Sequence, residues 1–263
     1  MMTLVEYNNC LSVLNAAISD AEEKLPSLNT KSNIMQEINK TVWEQKKRPV
    51  LYRYVPMNEY AISSIVNEDV YMLSAAKMND AFEGTAFGVN SSPEDNAQMV
   101  GDAQNKLYLK AFSISCVKNL MWSHYADSHK GICIEYDFRY AKQDVVHHLY
   151  PVQYSDHQFT FKNLAGIDVH PFLLLRKSKD WRYEKEFRLI YNRDELPKEN
   201  PAVKLNCITK IIFGLRTKQA DIDLVKCLLC GKNHLHHSDN GKEIRLYRIQ
   251  QKPNSFKLKC VPL

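Results

Sequence analysis

Two glutamates spaced two residues apart, Glu184 and Glu186, precede a strongly apolar stretch and are the clearest candidates for chemistry. Alternate residues of a strand point to the same face, so both carboxylates either enter one pocket or face solvent. Two carboxylates in one pocket can have different pKa values and divide acid, base or charge-stabilising work. Arg182 and Arg188 fall on the same side, so a ladder of ion pairs is the structural alternative, and both interpretations stay open.

A second cluster of polar and aromatic side chains, Trp122-Ser-His-Tyr125, lies just before the apolar stretch 131–137. Ser123 and His124 are adjacent, and neighbours on a helix point roughly 100° apart, which is poor geometry for a nucleophile and its base. Two interpretations therefore stay open for this segment. His124 and Tyr125 either bridge a helix to a strand by hydrogen bonds or help to bind a ligand.

The elements that must position these residues are strands and helices in irregular alternation. Residue types and alternation predict strands over 50–55, 70–73, 107–115, 131–137, 148–154, 185–191, 208–213, 243–249 and 255–262. Pro151 predicts an edge position for its strand. Helical periodicity predicts helices over 119–128 and 218–230, and a helix over 158–178 broken near Pro171. The pattern favours an α+β fold with a mixed or mostly antiparallel sheet and flanking helices.

Residues 1–48 are predicted to form an N-terminal helical hairpin ahead of an α+β core domain over 49–263. Leu4, Leu11, Leu14 and Ile18 share one face at helical spacing, and residues 34–43 repeat the pattern beyond Pro26. Few residues of this hairpin could do chemistry. We therefore expect it to serve in packing or in contacts between subunits.

Charge and targeting signals limit the classes of partner. The chain has 35 basic and 30 acidic residues, and its net charge of +5 is carried by short blocks. Nucleic acid is disfavoured as a partner, because these residues form no basic stripe interleaved with aromatics. The sequence shows no signal peptide and no apolar run long enough to span a membrane, so we expect a cytoplasmic protein without a membrane partner.

Cysteine spacing gives little support for a metal site or a disulfide framework. The seven cysteines are scattered and odd in number, which predicts free thiols in a reducing compartment. Cys227 and Cys230, followed by three histidines, superficially resemble a zinc site. Both cysteines are predicted to lie on the buried face of the helix over 218–230, so no metal is expected.

Five motifs follow one another along the chain: Leu51-Tyr-Arg-Tyr54, Asn79-Asp-Ala-Phe-Glu83, Leu120-Met-Trp-Ser-His-Tyr-Ala126, Gly131-Ile-Cys-Ile-Glu-Tyr-Asp137 and Trp181-Arg-Tyr-Glu-Lys-Glu-Phe-Arg188. In this order they resemble a bacterial family known only as domain of unknown function 2971. The resemblance covers about residues 50 to 260 and leaves out the N-terminal hairpin. It implies no activity, because the family name carries none.

Arg53 on the first core strand, Ser113-Ile-Ser115 on a middle strand and Glu184-Lys-Glu186 at the start of a late strand form a further pattern. This pattern resembles the ADP-ribosyltransferase-like folds, although the usual central threonine is missing between Ser113 and Ser115. The resemblance implies a split sheet and NAD as the substrate. It also implies that Glu186 is catalytic, that Glu184 orients the acceptor, and that Arg53, Ser113 and Ser115 contact the dinucleotide. Independently of the resemblance, Trp122 or Tyr125 could stack on a ring of the ligand, and Tyr54 and His124 are expected to bind it in the same cleft.

Two hypotheses about function therefore stay open. In the first, the protein cleaves the bond between nicotinamide and ribose, and a protein is one acceptor for the ADP-ribose. In the second, the cleft belongs to a non-catalytic nucleotide sensor or protein-interaction module, for instance in phage defence. Both hypotheses require a small nucleotide-type ligand, and they differ in whether that ligand is turned over.

Overall fold

The computed structural model describes residues 5–13, 16, 43, 47–88, 92–161, 173–231 and 243–263. Its helices are α1 (5–13), α2 (Glu59–Asn67), α3 (Pro93–Lys106), α4 (Asn119–Tyr125), α5 (Gln143–Val146) and α6 (Gln219–Gly231). Short 3-10 turns occur at Ala75–Lys77, Lys179–Trp181 and Arg193–Glu195. No helix in these ranges is long and apolar enough to cross a membrane.

The strands are β1 (Val50–Val55), β2 (Asp69–Tyr71), β3 (Leu73–Ser74), β4 (Ala86–Gly88), β5 (Leu107–Ser113), β6 (Ile132–Asp137), β7 (Leu149–Pro151), β8 (Gln153–Ser155), β9 (Phe159–Phe161), β10 (Arg176–Ser178), β11 (Glu186–Asn192), β12 (Ala202–Lys204), β13 (Ile208–Phe213), β14 (Arg245–Gln251) and β15 (Leu258–Pro262). The main sheet has the order β15-β14-β13-β6-β1-β5-β11-β7, and β3 also pairs with β5. Within it β13 and β14 are parallel and the other pairs are antiparallel. The prediction of an α+β fold with a mixed sheet is confirmed.

The main sheet opens between β1 and β5. Strand β1 pairs with β6 along all of Val50–Val55, but it meets β5 only where Tyr52 lies opposite Ser113. Strand β3 joins β5 further along, with Leu73 opposite Leu109. Between these two points, no described strand covers this edge of β5, so a cleft forms in the sheet.

Alternating residues of the sheet pack into two hydrophobic layers, one on each face. One layer contains Leu51, Val55, Phe112, Ile134 and Ile211 together with Ile65 of α2 and Val225 of α6. The opposite layer contains Tyr52, Tyr54, Cys133 and Ile212 together with Trp122 of α4. The helices on both faces fix the walls of the cleft.

The segment before β1 contacts the core through two aromatic side chains. Tyr7 on α1 donates a hydrogen bond to the carbonyl of Val152 at 2.5 Å, and the Trp43 indole donates to the carbonyl of Leu149 at 2.9 Å. The remainder of the predicted hairpin over 1–48 lies outside the described residues. The hairpin and the domain boundary at residue 49 therefore stay predictions.

Two local predictions are wrong and one is confirmed. The helix predicted over 158–178 is replaced at both ends by strands, because β9 pairs with β4 and β10 pairs with β8; residues 162–172 lie outside the described ranges. Cys227 and Cys230 are exposed, because α6 turns Ile222, Val225 and Leu229 towards the core instead. The strand that contains Pro151 does lie at an edge of the main sheet.

Candidate active site

The opening in the sheet forms a cavity of about 510 Å³, which lies within the size range of small-molecule sites. Most of the residues singled out from the sequence line this cleft: Arg53, Tyr54, Ser113, His124, Tyr125, Glu184 and Glu186. They come from β1, β5, α4 and the segment that enters β11. The fold thus brings together side chains that lie far apart in the sequence.

Trp122 and Ser115 do not line the cleft. The Trp122 side chain is fully buried, its indole donates to the carbonyl of Cys116 at 2.8 Å, and its ring meets Tyr54 edge-on at 5.1 Å. Ser115 accepts a hydrogen bond from the Tyr54 hydroxyl through its carbonyl at 2.7 Å. Both residues therefore help to hold Tyr54 in place. This geometry gives no evidence for their predicted contact with a ligand.

One wall of the cleft carries two glutamates that share a buried lysine. The Lys177 ammonium donates to Glu184 Oε2 at 2.8 Å and to Glu186 Oε2 at 3.4 Å. Although burial opposes it, the charge of the two glutamates holds the pKa of Lys177 above its ordinary value. The register of β5 and β11 sets Glu186 opposite Ser113, whose hydroxyl donates to the Glu184 carbonyl at 2.6 Å. Ser113 therefore fixes the chain that carries both carboxylates.

Behind this wall, Arg188 joins two carboxylates while fully buried. Its Nε donates to Glu186 Oε1 at 2.6 Å, and its terminal nitrogens donate to both oxygens of Glu83 at 2.5 and 2.8 Å. Glu83 thereby anchors the loop that contains Asn79 and Asp80 to Arg188. The described residues contain no group of side chains suited to hold a metal ion.

The acidic cluster is defined here as Glu83, Glu184, Glu186, Lys177 and Arg188. Three carboxylates against two cations leave one excess negative charge when all are ionised. Burial, followed by the charge of Glu186, raises the pKa of Glu184. Burial opposes ionisation of Glu186 as well, but Arg188 and Lys177 hold its pKa below the ordinary value. The two carboxylates thus have pKa values shifted in opposite directions, as two carboxylates in one pocket can.

Tyr125 connects Glu184 to the mouth of the cleft. Its hydroxyl donates to Glu184 Oε1 at 2.5 Å and accepts from the Asn79 side-chain amide at 3.3 Å. Burial, followed by the hydrogen bond and charge of Glu184, raises the pKa of Tyr125. The phenol therefore stays protonated and serves as a donor. Tyr125 thus bridges α4 to the segment that enters β11 and lines the cleft, while its predicted contact with a ligand stays a prediction.

The part of the cleft that faces the acidic cluster carries positively charged side chains. Arg53 on β1 is half-buried and donates to Ser64 Oγ at 3.4 Å, while Lys110 on β5 is only 9% exposed. Sequence analysis missed Lys110, Lys177 and the structural use of Glu83. A lysine within the apolar strand Leu107–Ser113 was the available signal for Lys110, whereas the contacts of Lys177 and Glu83 depend on distant pairing that the sequence does not reveal.

A second cavity, of about 440 Å³, lies beside β1, β6 and β13. Its central carboxylate, Glu135, accepts hydrogen bonds from Tyr52, Thr209 and Lys210 at 2.7 to 2.8 Å. Because these contacts already neutralise and saturate Glu135, the cleft between β1 and β5 is the stronger candidate for a functional site.

Comparison with known proteins agrees with part of the sequence-based resemblance. The model of a family described as "Protein of unknown function (DUF2971)" matches residues 121–189. The matched segment contains Tyr125, Lys177, Glu184 and Glu186, so it includes the acidic wall of the cleft. It supports the resemblance to that family and carries no activity. Neither the curated proteins nor the solved structures contain a match to this chain.

Proposed function

We propose that the cleft binds NAD and breaks the bond between nicotinamide and ribose, as an ADP-ribosyltransferase-like enzyme or a glycohydrolase. The observation that carries this proposal is the distribution of charge in one cavity. Glu184 and Glu186 belong to a cluster with an excess negative charge, while Arg53 and Lys110 supply positive charge across the opening. No comparison supports the ADP-ribosyltransferase-like resemblance, so the proposal rests on this geometry.

The positive and the negative side chains of the cleft suit two different parts of NAD. NAD carries a negatively charged pyrophosphate, and its ribose becomes positively charged as the bond to nicotinamide breaks. The bonding electron pair leaves with nicotinamide, and a water or acceptor nucleophile then attacks the ribose carbon and releases a proton. A carboxylate fixed beside the ribose lowers the energy of this transition state by preorganised electrostatics. Tyr54, Tyr125 and His124 offer rings for stacking against the ligand.

The contacts favour Glu184 over Glu186 as the carboxylate that faces the ribose, which reverses the roles suggested by the resemblance. Glu186 is contacted by both Arg188 and Lys177, so its charge is largely compensated. Among the residues that the structure describes, Glu184 has one cationic contact, Lys177, and its other oxygen accepts from Tyr125 near the mouth. We assign Glu186 to positioning Lys177 and Glu184 to stabilising the ribosyl cation.

The state of the cysteines supports a cytoplasmic location for this activity. All seven cysteines are free thiols, and Cys116, Cys133 and Cys207 are buried among apolar side chains. Proteins of oxidising compartments commonly use disulfides instead. A reducing compartment that also holds NAD fits the proposal.

The test is to incubate the purified chain with millimolar NAD, to measure the melting temperature, and to quantify free nicotinamide by chromatography. A ligand that binds only the folded state stabilises by about 2.7 kcal/mol at a hundredfold excess over Kd. We expect a higher melting temperature and nicotinamide release, with release lost in Glu184→Gln. The exposed Glu199→Gln is the matched control and should stay active.

Two outcomes would contradict the enzyme proposal. A rise in melting temperature without nicotinamide release would support the nucleotide sensor, in which the same cleft binds without turnover. No rise at all, in the wild-type chain and in Glu199→Gln, would remove NAD as the ligand. Release that persists in Glu184→Gln and disappears in Glu186→Gln would restore the assignment of Glu186 as catalytic.

A further inference from the structure

Lys110 is a nearly buried cation on the wall of the cleft. Its side chain lies within β5 between Leu109 and Ala111, and its neighbour on β11 is Leu189. Its exposed fraction is 9%, yet its ammonium has no hydrogen-bond or ion-pair partner among the residues that the structure describes. Lysine is almost never this buried unless it is paired, because the desolvated charge is costly.

The positive charge of Arg53 makes a charged Lys110 at this position less favourable still. Burial, and then the positive charge of Arg53, lowers the pKa of Lys110 well below its ordinary value. Arg53 and Lys110 both line the cleft, on the two strands that separate there. Arg53 also lies near the carboxylate of Asp69, which has Lys204 as another cationic neighbour. Two cations that converge on one cavity, with no described carboxylate between them, indicate a site that suits an anionic ligand.

Strand alternation explains why these cations do not pair with the acidic cluster. Glu186 lies opposite Ser113, and Lys110 is three residues before Ser113 on the same strand, so it points to the other face of the sheet. Arg53 follows Tyr52, which is itself opposite Ser113, so Arg53 points to the same face as Lys110. The opening between β1 and β5 lets both sets of side chains reach one cavity from opposite faces.

We propose that Arg53 and Lys110 form a subsite for the pyrophosphate of a nucleotide ligand, with Lys110 as its buried anchor. This inference rests on the proposed function, which it deepens by naming the part of the ligand that is recognised. The planar guanidinium of Arg53 can contact two phosphate oxygens, while the compact ammonium of Lys110 acts as a point charge. The uncovered edge of β5 between its pairings with β1 and β3 offers backbone groups beside them.

The experiment compares ligands that carry no phosphate, one phosphate or a pyrophosphate group. Binding of nicotinamide riboside, nicotinamide mononucleotide, NAD and inorganic pyrophosphate is measured by calorimetry for the wild-type chain and Lys110→Met. Methionine keeps the length of the side chain and removes the charge. Lys226→Met, an exposed position on α6, is the control for the loss of one positive charge.

We expect Lys110→Met to bind NAD and pyrophosphate about tenfold more weakly or worse, because a hydrogen bond to a charged group is lost. Its affinity for the riboside should match that of the wild-type chain, and Lys226→Met should bind all four as the wild-type chain does. The melting temperature of ligand-free Lys110→Met should rise, since an unpaired buried charge is removed. Lys110→Arg should retain part of the affinity for pyrophosphate.

The outcomes separate this inference from the proposed function. Equal affinity of Lys110→Met and the wild-type chain for NAD would overturn the subsite and leave NAD cleavage intact. Pyrophosphate binding that depends on Lys110, without binding or cleavage of NAD, would uphold the subsite and reject the proposed function. A large fall in melting temperature for both Lys110→Met and Lys110→Arg would show that the lysine is structural and would also overturn the subsite.

Discussion

Glu184 and Glu186 share the ammonium group of Lys177, and within the described part of the chain only Glu186 contacts a second cation, Arg188. This difference gives the two carboxylates opposite pKa shifts, raised for Glu184 and lowered for Glu186. Ionised Glu186 is therefore favoured by folding, whereas ionised Glu184 is disfavoured. Functional sites commonly hold a charged group in place at a cost in stability, and ionised Glu184 is such a group.

The first prediction follows from these opposite shifts and concerns the pH dependence of stability. The stabilising contribution of Glu186 is present above the ordinary pKa of 4.5 and is lost as pH falls through its lower folded value. The contribution of Glu184 has the opposite sign. It is present below 4.5 and is lost as pH rises through its raised folded value.

The measurement is urea unfolding of the wild-type chain, Glu184→Gln and Glu186→Gln at a series of pH values. At pH 7 we expect Glu186→Gln to lower the free energy of unfolding by about 3 kcal/mol and Glu184→Gln to leave it unchanged or raise it. The cost of Glu186→Gln should shrink towards acid pH. Equal destabilisation by both variants at pH 7 would contradict the difference between the two sites.

The second prediction concerns the buried Arg188, which holds the loop of Glu83 against the acidic wall. Arg188→Met leaves Glu83 and Glu186 buried without this cation, so we expect a loss of about 4 kcal/mol in the free energy of unfolding. The exposed Arg182→Met removes the same charge near the cleft and should change it by less than about 0.5 kcal/mol. Adding Glu83→Gln to Arg188→Met should recover part of the loss, as a double-mutant cycle can show. Additive effects would mean that the pair is not coupled.

Strand composition predicted most of the sheet, because each strand buries a continuous or alternating apolar run. The predicted bounds of β1 and β13 match those observed, β6 differs by one residue at its start, and β11 differs by one residue at each end. The predicted helix over 158–178 failed, since Arg176–Ser178 pairs with Gln153–Ser155 and tertiary pairing overrides local propensity. Such pairing is set by the rest of the fold.

The site was predictable to the extent that its residues lie at strand ends or in polar segments beside apolar ones. Tyr125 and Glu184 could be found this way, whereas Arg53 lies within β1 and was singled out by the resemblance; all three line one cleft. The network behind them could not, because the contact between Arg188 and Glu83 spans 105 residues of sequence. Trp122 was assigned to ligand binding from its type alone, and burial under Tyr54 gives it a packing role.

The third prediction concerns the close approach of backbone segments beside α4. A Cβ added to Gly131 would lie 2.2 Å from the carbonyl oxygen of Val55, at the end of β1. Because neither backbone can move freely, we expect Gly131→Ala to destabilise the protein by about 3 kcal/mol. Gly101 within α3 has no atom within 4 Å of such a Cβ, and Gly101→Ala should stabilise the protein by about 0.5–1 kcal/mol. Urea unfolding of both variants tests this, and equal stabilities would contradict the close contact.

The fourth prediction concerns Tyr125, which acts through Glu184. The hydrogen bond from its hydroxyl favours the ionised form of Glu184, so Tyr125→Phe should raise the pKa of that carboxyl further. We expect kcat for nicotinamide release to fall by about tenfold or more, and the acidic limb of the pH–rate profile to move to higher pH. The exposed Tyr60→Phe, which also loses one hydroxyl, should leave both unchanged.

The pH profile separates this positioning role from simple packing. Loss of packing around Tyr125 would lower the melting temperature and kcat together without moving the acidic limb. A displaced limb at an unchanged melting temperature requires that the phenol acts on the ionisation of a catalytic group. Glu184 accepts the Tyr125 hydrogen bond and, among the described residues, has Lys177 as its one cationic contact. If Glu184→Gln keeps any residual activity, that activity must come from another group, and Tyr125→Phe should not displace its acidic limb.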